Sequence, residues 1–170
     1  TDHRDHRPMA HAGKDEWVLV GEPVLVDGTG SYDPNADALT ATWTLTAPGG
    51  SAITAVDDPS ALLTGFVPDA PGTYVLELEV ADLGATSTDA IEVIAVEGLV
   101  VPDDVDSIQQ AIDSSTGGDW VLVRPGTYEE ALDLDGKDIL LLCLGEAHEV
   151  VVDARGTGPV ITASHGERLC

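Results

Sequence analysis

The chain of 170 residues carries 31 Asp and Glu against 7 Lys and Arg, for a formal net charge of −24, and 43% of it is hydrophobic. This length suits one or two domains, and the apolar content predicts a packed core rather than disorder. The charge excludes nucleic acid as a partner, because phosphate backbones would be repelled. The acidity has two explanations that the sequence leaves open: divalent-cation sites, and adaptation to a salty habitat.

Residues 1–7 form a polar, charged tail without the apolar stretch of a signal peptide. A secreted or cell-surface protein with this start would already have lost its signal peptide. No run of ~18 or more apolar residues occurs in the chain, so we expect no membrane insertion.

Residues 8–96 consist of short strand patterns separated by Gly, Pro and Asp turns, as in a β-sandwich. Apolar and polar residues alternate from Leu39 to Leu45 and from Tyr74 to Val80, which predicts half-buried antiparallel strands. Tyr74 follows a Pro-Gly turn in the position of a tyrosine corner, and Trp43 is the expected core aromatic beneath it. Four more strands are predicted, at Trp17–Val20, Pro23–Asp27, Ala61–Phe66 and Asp89–Val96.

This part of the chain resembles a PKD domain, an immunoglobulin-like β-sandwich, over nearly all of residues 8–96. Ala36 stands where that family usually has glycine, and His11 stands where asparagine is common. The resemblance implies the fold and says little about function. The matching segments are Pro8–Gly13, Gly21–Gly28, Gly30–Pro34, Leu39–Trp43, Pro71–Tyr74 and Val80–Asp82.

One turn in this region has the side chains of a calcium site. Asp33, Asn35 and Asp37 alternate along it and could direct three oxygens at a hard cation. The PKD resemblance implies Asp82 as a neighbour of this site. The alternative is an ordinary turn, in which Asp and Asn are common because they hydrogen-bond their own backbone.

A short linker, residues 97–99, separates the sandwich from a segment of different character. Ser107 and Gln110 form a capping-box pattern, and the apolar residues that follow predict a helix near residues 107–113. Three aspartates precede it and suit the positive end of the helix dipole: Asp103, Asp104 and Asp106.

Residues 100–170 continue as brief apolar runs divided by Gly, Asp and Pro turns, typical of strands buried in stacked parallel coils. The runs are Trp120–Val123, Ala131–Leu134, Ile139–Leu144, Val150–Val152 and Val160–Thr162. Residues 99–170 resemble the first coils of a pectin-lyase-like, right-handed parallel β-helix, with the helix as its N-terminal cap. The matching segments are Ile108–Ile112, Gly118–Val123, Pro125–Glu130, Gly136–Ile139 and Val151–Ala154.

The two cysteines, Cys143 and Cys170, are 27 positions apart, a spacing that matches no metal motif. It lies within the 20–45-residue repeat of solenoids, in which equivalent positions stack, so a disulfide is one prediction. The alternative is a buried, free Cys143 in an apolar run and an unrelated terminal Cys170.

No nucleophile–base pair or paired catalytic carboxylates are recognisable, so we predict no catalytic residues in this chain. The leading hypothesis is a non-catalytic secreted or cell-surface module that acts as a spacer and binds an extracellular polysaccharide or a surface protein. A second hypothesis is the N-terminal fragment of a secreted polysaccharide lyase, hydrolase or epimerase, with catalytic coils beyond residue 170. A third is a surface protein that self-associates through the open end of the β-helix, because unfinished coils expose unpaired backbone.

Overall fold

The computed structural model describes residues 7–144, 148–156 and 158–162. The described part of the chain is mostly β-structure with one short helix. Two compact units divide the chain, with their boundary between Val96 and Glu97.

The first unit is a sandwich of six strands in two sheets. The larger sheet has the order β1-β6-β5-β3, in which β1 runs parallel to β6 and the other neighbours are antiparallel. The smaller sheet is the antiparallel pair β2-β4. The strands are β1 (Glu16–Leu19), β2 (Val24–Asp27), β3 (Thr40–Thr46), β4 (Leu63–Phe66), β5 (Gly72–Ala81) and β6 (Thr86–Val96).

The core of this unit comes from the inward side chains of both sheets. On β5 the predicted alternation is confirmed, since every second residue from Tyr74 to Val80 is fully buried and those between are exposed. Val24, Val26 and Phe66 face them from the smaller sheet. Truncating one such Leu to Ala removes about 2–5 kcal/mol of stability, so the alternation largely specifies this fold.

Tyr74 forms the predicted tyrosine corner. Its hydroxyl donates to the Ala70 carbonyl oxygen (3.0 Å) and accepts from the Ala70 backbone N–H (3.1 Å). Trp43 is 4% exposed, and its indole Nε1 donates to the carbonyl oxygen of Ala61 (3.0 Å). Both aromatic residues are therefore core residues, as predicted.

Within the described residues, the second unit stacks its strands in three parallel groups. These are β7-β8-β11, β9-β12 and β10-β13, and every pairing is parallel. Two of the strands, β7 and β9, were not predicted from the sequence. The elements are β7 (Leu99–Val101), α1 (Ile108–Ser114), β8 (Trp120–Val123), β9 (Gly126–Tyr128), β10 (Leu132–Asp133), β11 (Leu140–Cys143), β12 (Val150–Val152) and β13 (Ile161–Thr162).

A separate core fills the second unit, and α1 contributes one apolar side to it. The helix residues Ile108, Ala111 and Ile112 are fully buried. They pack in one cluster with fully or almost fully buried residues of the strands and of the segment that follows β10: Val101, Val121, Val123, Leu132, Leu134 and Ile139. The predicted run Trp120–Val123 is thus a core strand, whereas Val150–Val152 and Val160–Thr162 are only partly buried, with Val151 and Val160 exposed.

The start of α1 agrees with the predicted N-cap but differs in its other contacts. Ser107 Oγ accepts from the backbone N–H of Gln110 (3.1 Å), as expected of an N-cap serine. Two of the three aspartates that precede the helix also bond elsewhere. Asp103 Oδ2 pairs with Arg124 Nε (2.7 Å), and Asp104 Oδ2 accepts from the Val100 N–H (2.9 Å).

The single helix of the described residues is seven residues long, and no helix there is both long and apolar enough to cross a bilayer.

Candidate cation site

Asp33 and Asp82 lie at the same end of the sandwich because of the strand register. Thr40, the first residue of β3, pairs with Ala81, the last residue of β5. The loop before β3 and the turn after β5 are therefore neighbours, and they carry Asp33 and Asp82 respectively. The resemblance to the PKD family had implied this proximity.

Asp33 organises its own loop. It is 9% exposed, and its Oδ1 accepts from the backbone N–H groups of Asn35 (2.7 Å) and Asp37 (3.1 Å). Its carbonyl oxygen accepts from the N–H of Ala36, which has a left-handed φ of 65°. Glycine, which the PKD family usually has at this position, adopts that conformation without steric cost.

Asp82 organises the turn between β5 and β6 in a similar way. Its Oδ1 accepts from the backbone N–H groups of Gly84 (2.6 Å) and Ala85 (2.7 Å). These two hydrogen bonds are the main reason why the pKa of Asp82 lies below its ordinary value, with burial opposing them and Asp33 adding a smaller lowering effect. The Asp82 carboxylate is thus held in its ionised form.

The second oxygen of each carboxylate has no donor. Asp33 Oδ2 and Asp82 Oδ2 are both buried and accept no hydrogen bond from the described residues. The two carboxyl groups are close enough to interact with each other, and a proton or a cation between them would satisfy both oxygens. A buried acceptor without a donor costs about 1–3 kcal/mol, and more when it is charged. A cation between the two oxygens would remove this cost.

The backbone N–H groups of Asn35 and Asp37, the other predicted ligands, help to shape the loop. Both residues are exposed, and their N–H groups donate to Asp33. The described ranges contain no group of three or more His, Cys, Asp and Glu side chains that could hold a metal ion. The structure therefore brings Asp33 and Asp82 together, while the calcium site itself stays a prediction.

The predicted disulfide also stays a prediction. Cys143 is the last residue of β11 and is exposed as a free thiol, which differs from the buried thiol of the alternative interpretation. Cys170 lies outside the described residues.

Residues 12–95 match the family described as "K319L-like, PKD domain". This part of the chain is a PKD domain. The match covers the six strands of the first unit, apart from the last residue of β6, and both residues of the carboxylate pair.

A curated relative and two solved structures are also similar to the chain. The chain is 41% identical over 75 residues to alpha-amylase MalA of Haloarcula japonica. The aligned segment covers 44% of this chain and 10% of the amylase. A nucleoside hydrolase-related hypothetical protein of Saccharophagus degradans, described as associated with carbohydrate metabolism, matches with a TM-score of 0.48 and 18% identity, covering 54% of this chain and 26% of that one. The PKD domain of human KIAA0319 matches with a TM-score of 0.44 and 14% identity. This match covers 56% of the present chain and 88% of the KIAA0319 domain. The chain thus spans about a tenth of the curated relative.

Proposed function

We propose that this chain is a non-catalytic, extracellular spacer module in which calcium bound between Asp33 and Asp82 stiffens one end of the PKD domain. The observation that carries the proposal is the pair of buried carboxylate oxygens without donors, one from each residue. PKD domains are typically extracellular, where calcium is abundant.

The proposed ligands suit calcium better than a softer metal. Calcium takes six to eight oxygen ligands in flexible geometry, whereas transition metals prefer the nitrogen and sulfur ligands that this loop lacks. Asp33 and Asp82 would supply the charged oxygens. Water would complete the shell, and Asn35 and Asp37 would join it only if their exposed side chains turned toward the carboxylate pair. With two carboxylates that each present one buried oxygen, we expect an affinity of about 10⁻⁴–10⁻³ M, as in other extracellular calcium modules.

The test is the melting temperature of the PKD domain with calcium and with a chelator, at constant high ionic strength. Calcium at about 10 mM should raise it by roughly 5–15 °C, because binding at 10–100 times Kd stabilises by about 1.4–2.7 kcal/mol. Asp33→Asn keeps the Oδ1 acceptor of the turn and gives Asp82 Oδ2 a donor. We therefore expect this variant to be more stable than the parent in chelator and not to respond to calcium.

Asp27→Asn is the matched control for this experiment. Asp27 accepts hydrogen bonds from the N–H and hydroxyl of Thr29 in a similar turn but does not belong to the carboxylate pair. The Asp27→Asn variant should respond to calcium like the parent. Calcium sites elsewhere are indicated instead if Asp33→Asn also keeps the full response. No response in the parent would mean that the two carboxyls share a proton.

For the second unit we propose the first coils of a right-handed parallel β-helix. The three parallel stacks of strands support this proposal. A chain that adds one strand to each stack in turn, and then repeats the order, winds as a coil. Paired residues are 20 positions apart for Trp120 and Leu140, and 29 for Leu132 and Ile161. Both separations fall within the 20–45-residue repeat of solenoids. The right hand follows from the strong preference of parallel crossover connections.

We further propose that the whole protein acts on, or binds, carbohydrate. The alpha-amylase relative supports this, and the chain spans only a small part of its length. The mass of the native protein tests the proposal of a longer protein, against 17.6 kDa for this chain. A much larger mass is expected, whereas an equal mass would leave the chain as an isolated module without an enzyme attached.

A further inference from the structure

A cleft on the second unit combines an aromatic ring with hydrogen-bond acceptors. It has a volume of about 260 Å³, and those of its lining residues that the structure describes belong to this unit. The half-buried Trp120 and the exposed Glu97 and Asp119 are among its lining residues. Ser115, which is 4% exposed, also lines the cleft.

The walls of the cleft are built closely around Trp120. A side chain at Gly98 would overlap the backbone oxygen and Cβ of Trp120, so only glycine lets the chain pass there. On the other side, Gly118 has a φ of 93° and donates its N–H to the carbonyl oxygen of Asp138 (2.6 Å). Asp119 Oδ2 accepts from the N–H and the hydroxyl of Thr116, which fixes its carboxylate. The cleft is therefore formed by ordered backbone rather than by loose side chains.

From this arrangement we infer that the cleft binds a neutral sugar ring. An indole face packs against the C–H face of a sugar, while carboxylates at its edge accept hydrogen bonds from the hydroxyl groups. The volume lies just below the ~300–1,000 Å³ of sites for drug-sized ligands, which fits a small ring. Glu97 and Asp119 would repel an acidic sugar, so the ligand is uncharged.

The same residues argue against an organic cation as the ligand. Sites for quaternary ammonium groups are cages in which several aromatic rings surround the charge. Here Trp120 is the one aromatic residue among the described residues that line the cleft. The inference goes beyond the spacer role and does not depend on calcium, since Asp33 and Asp82 belong to the first unit.

The inference is tested by titrating the full chain with maltotriose. The titration is done at about 1 M KCl, which screens the protein charge. Binding is followed by tryptophan fluorescence and by saturation-transfer NMR. We expect binding by the parent and about tenfold weaker binding by Glu97→Gln, because the variant loses a charge-assisted hydrogen bond. Trp120→Ala should lose binding. Trp17→Ala, which removes an exposed tryptophan of the first unit, should bind like the parent.

Three results would overturn the inference. The first is no binding of maltotriose, and the second is parent-like binding by the Glu97→Gln variant, which decides the matter even if Trp120→Ala does not fold. The third is binding of tetramethylammonium in place of maltotriose, which would make the cleft a cation site. None of these results bears on the calcium proposal, because melting of the PKD domain with calcium is a separate measurement.

Discussion

Glu130 and Lys137 bind opposite ends of the helix α1. The Glu130 carboxylate accepts from the backbone N–H groups of Ile108 (3.0 Å) and Gln109 (2.9 Å). Lys137 Nζ donates to the carbonyl oxygens of Ile112 (2.9 Å) and Asp113 (2.7 Å). An anion at the start and a cation at the end both complement the helix dipole. A helix of seven residues is not stable by itself, so these long-range contacts help to hold it in place.

Glu130→Ala should therefore weaken the second unit at the start of α1. Two backbone N–H groups lose their acceptor, and we expect a loss of about 1–2 kcal/mol. Hydrogen exchange at the amides of Ile108 and Gln109 measures the effect locally. Glu129→Ala is the control, because Glu129 forms an exposed ion pair with Arg155, worth about 0–1 kcal/mol. Equal losses of protection in the two variants would show that Glu130 does not cap the helix.

This contact could not be predicted from the sequence. The capping-box rule is local, and it predicts a contact with Gln110 because that residue lies three positions after Ser107. Glu130 comes 22 positions after Ile108 and reaches the helix only because the chain returns beneath it. The predicted N-cap at Ser107 is confirmed, and it was predictable because its hydrogen bond lies within one turn of the helix.

The same division between local and long-range signals applies to the rest of the molecule. β5 was predictable because its alternation from Tyr74 to Val80 reports burial of one face. β7 and β9 were missed because each has three residues, too few to show a period, and is defined by its parallel neighbours. Of the candidate cation site, the Asp33 turn could be predicted from spacing. Asp82 could be assigned to the site only through the PKD resemblance, because it lies in the turn after β5 and Asp33 lies in the loop before β3.

Tyr74→Phe should destabilise the first unit. The lost hydroxyl group bonds both the N–H and the carbonyl oxygen of Ala70 in a buried corner, so we expect a loss of about 1–3 kcal/mol. Urea unfolding measures it. Tyr32→Phe is the matched control, since Tyr32 is 57% exposed and should change stability by less than about 0.5 kcal/mol. If both variants unfold at the same urea concentration, the corner hydrogen bonds add nothing to stability.

Acid should destabilise the protein through its turn aspartates. Hydrogen bonds from hydroxyl or backbone N–H groups lower the pKa of five of them below the ordinary 3.8: Asp27, Asp58, Asp69, Asp82 and Asp119. A carboxyl whose pKa is lower in the folded state contributes stability that is fully present above its unfolded pKa. That stability is lost as the pH falls through the folded pKa. The urea midpoint should therefore be level above about pH 5 and fall steadily below about pH 4.

Ser51→Ala provides the control for this pH dependence. The Ser51 hydroxyl donates to Asp69 Oδ1, and this hydrogen bond is the largest cause of the low pKa of Asp69. Without this hydrogen bond, the urea midpoint of the Ser51→Ala variant should fall less steeply with pH below about pH 4 than that of the parent. The measurements belong at about 1 M KCl, where charge repulsion is screened and does not oppose the effect. A midpoint that rises on acidification under these conditions would contradict the prediction.

Salt should stabilise the chain independently of calcium. A net charge of −24 on 170 residues repels itself, and only 7 Lys and Arg are present to offset 31 Asp and Glu. Raising KCl from about 0.1 to 1 M shortens the screening length from about 10 to 3 Å, so the melting temperature should rise by several degrees. NaCl should act equally, and Asp33→Asn should keep the salt effect while losing the calcium effect. A melting temperature that responds to millimolar calcium but not to molar KCl would assign the acidity to cation binding rather than to a salty habitat.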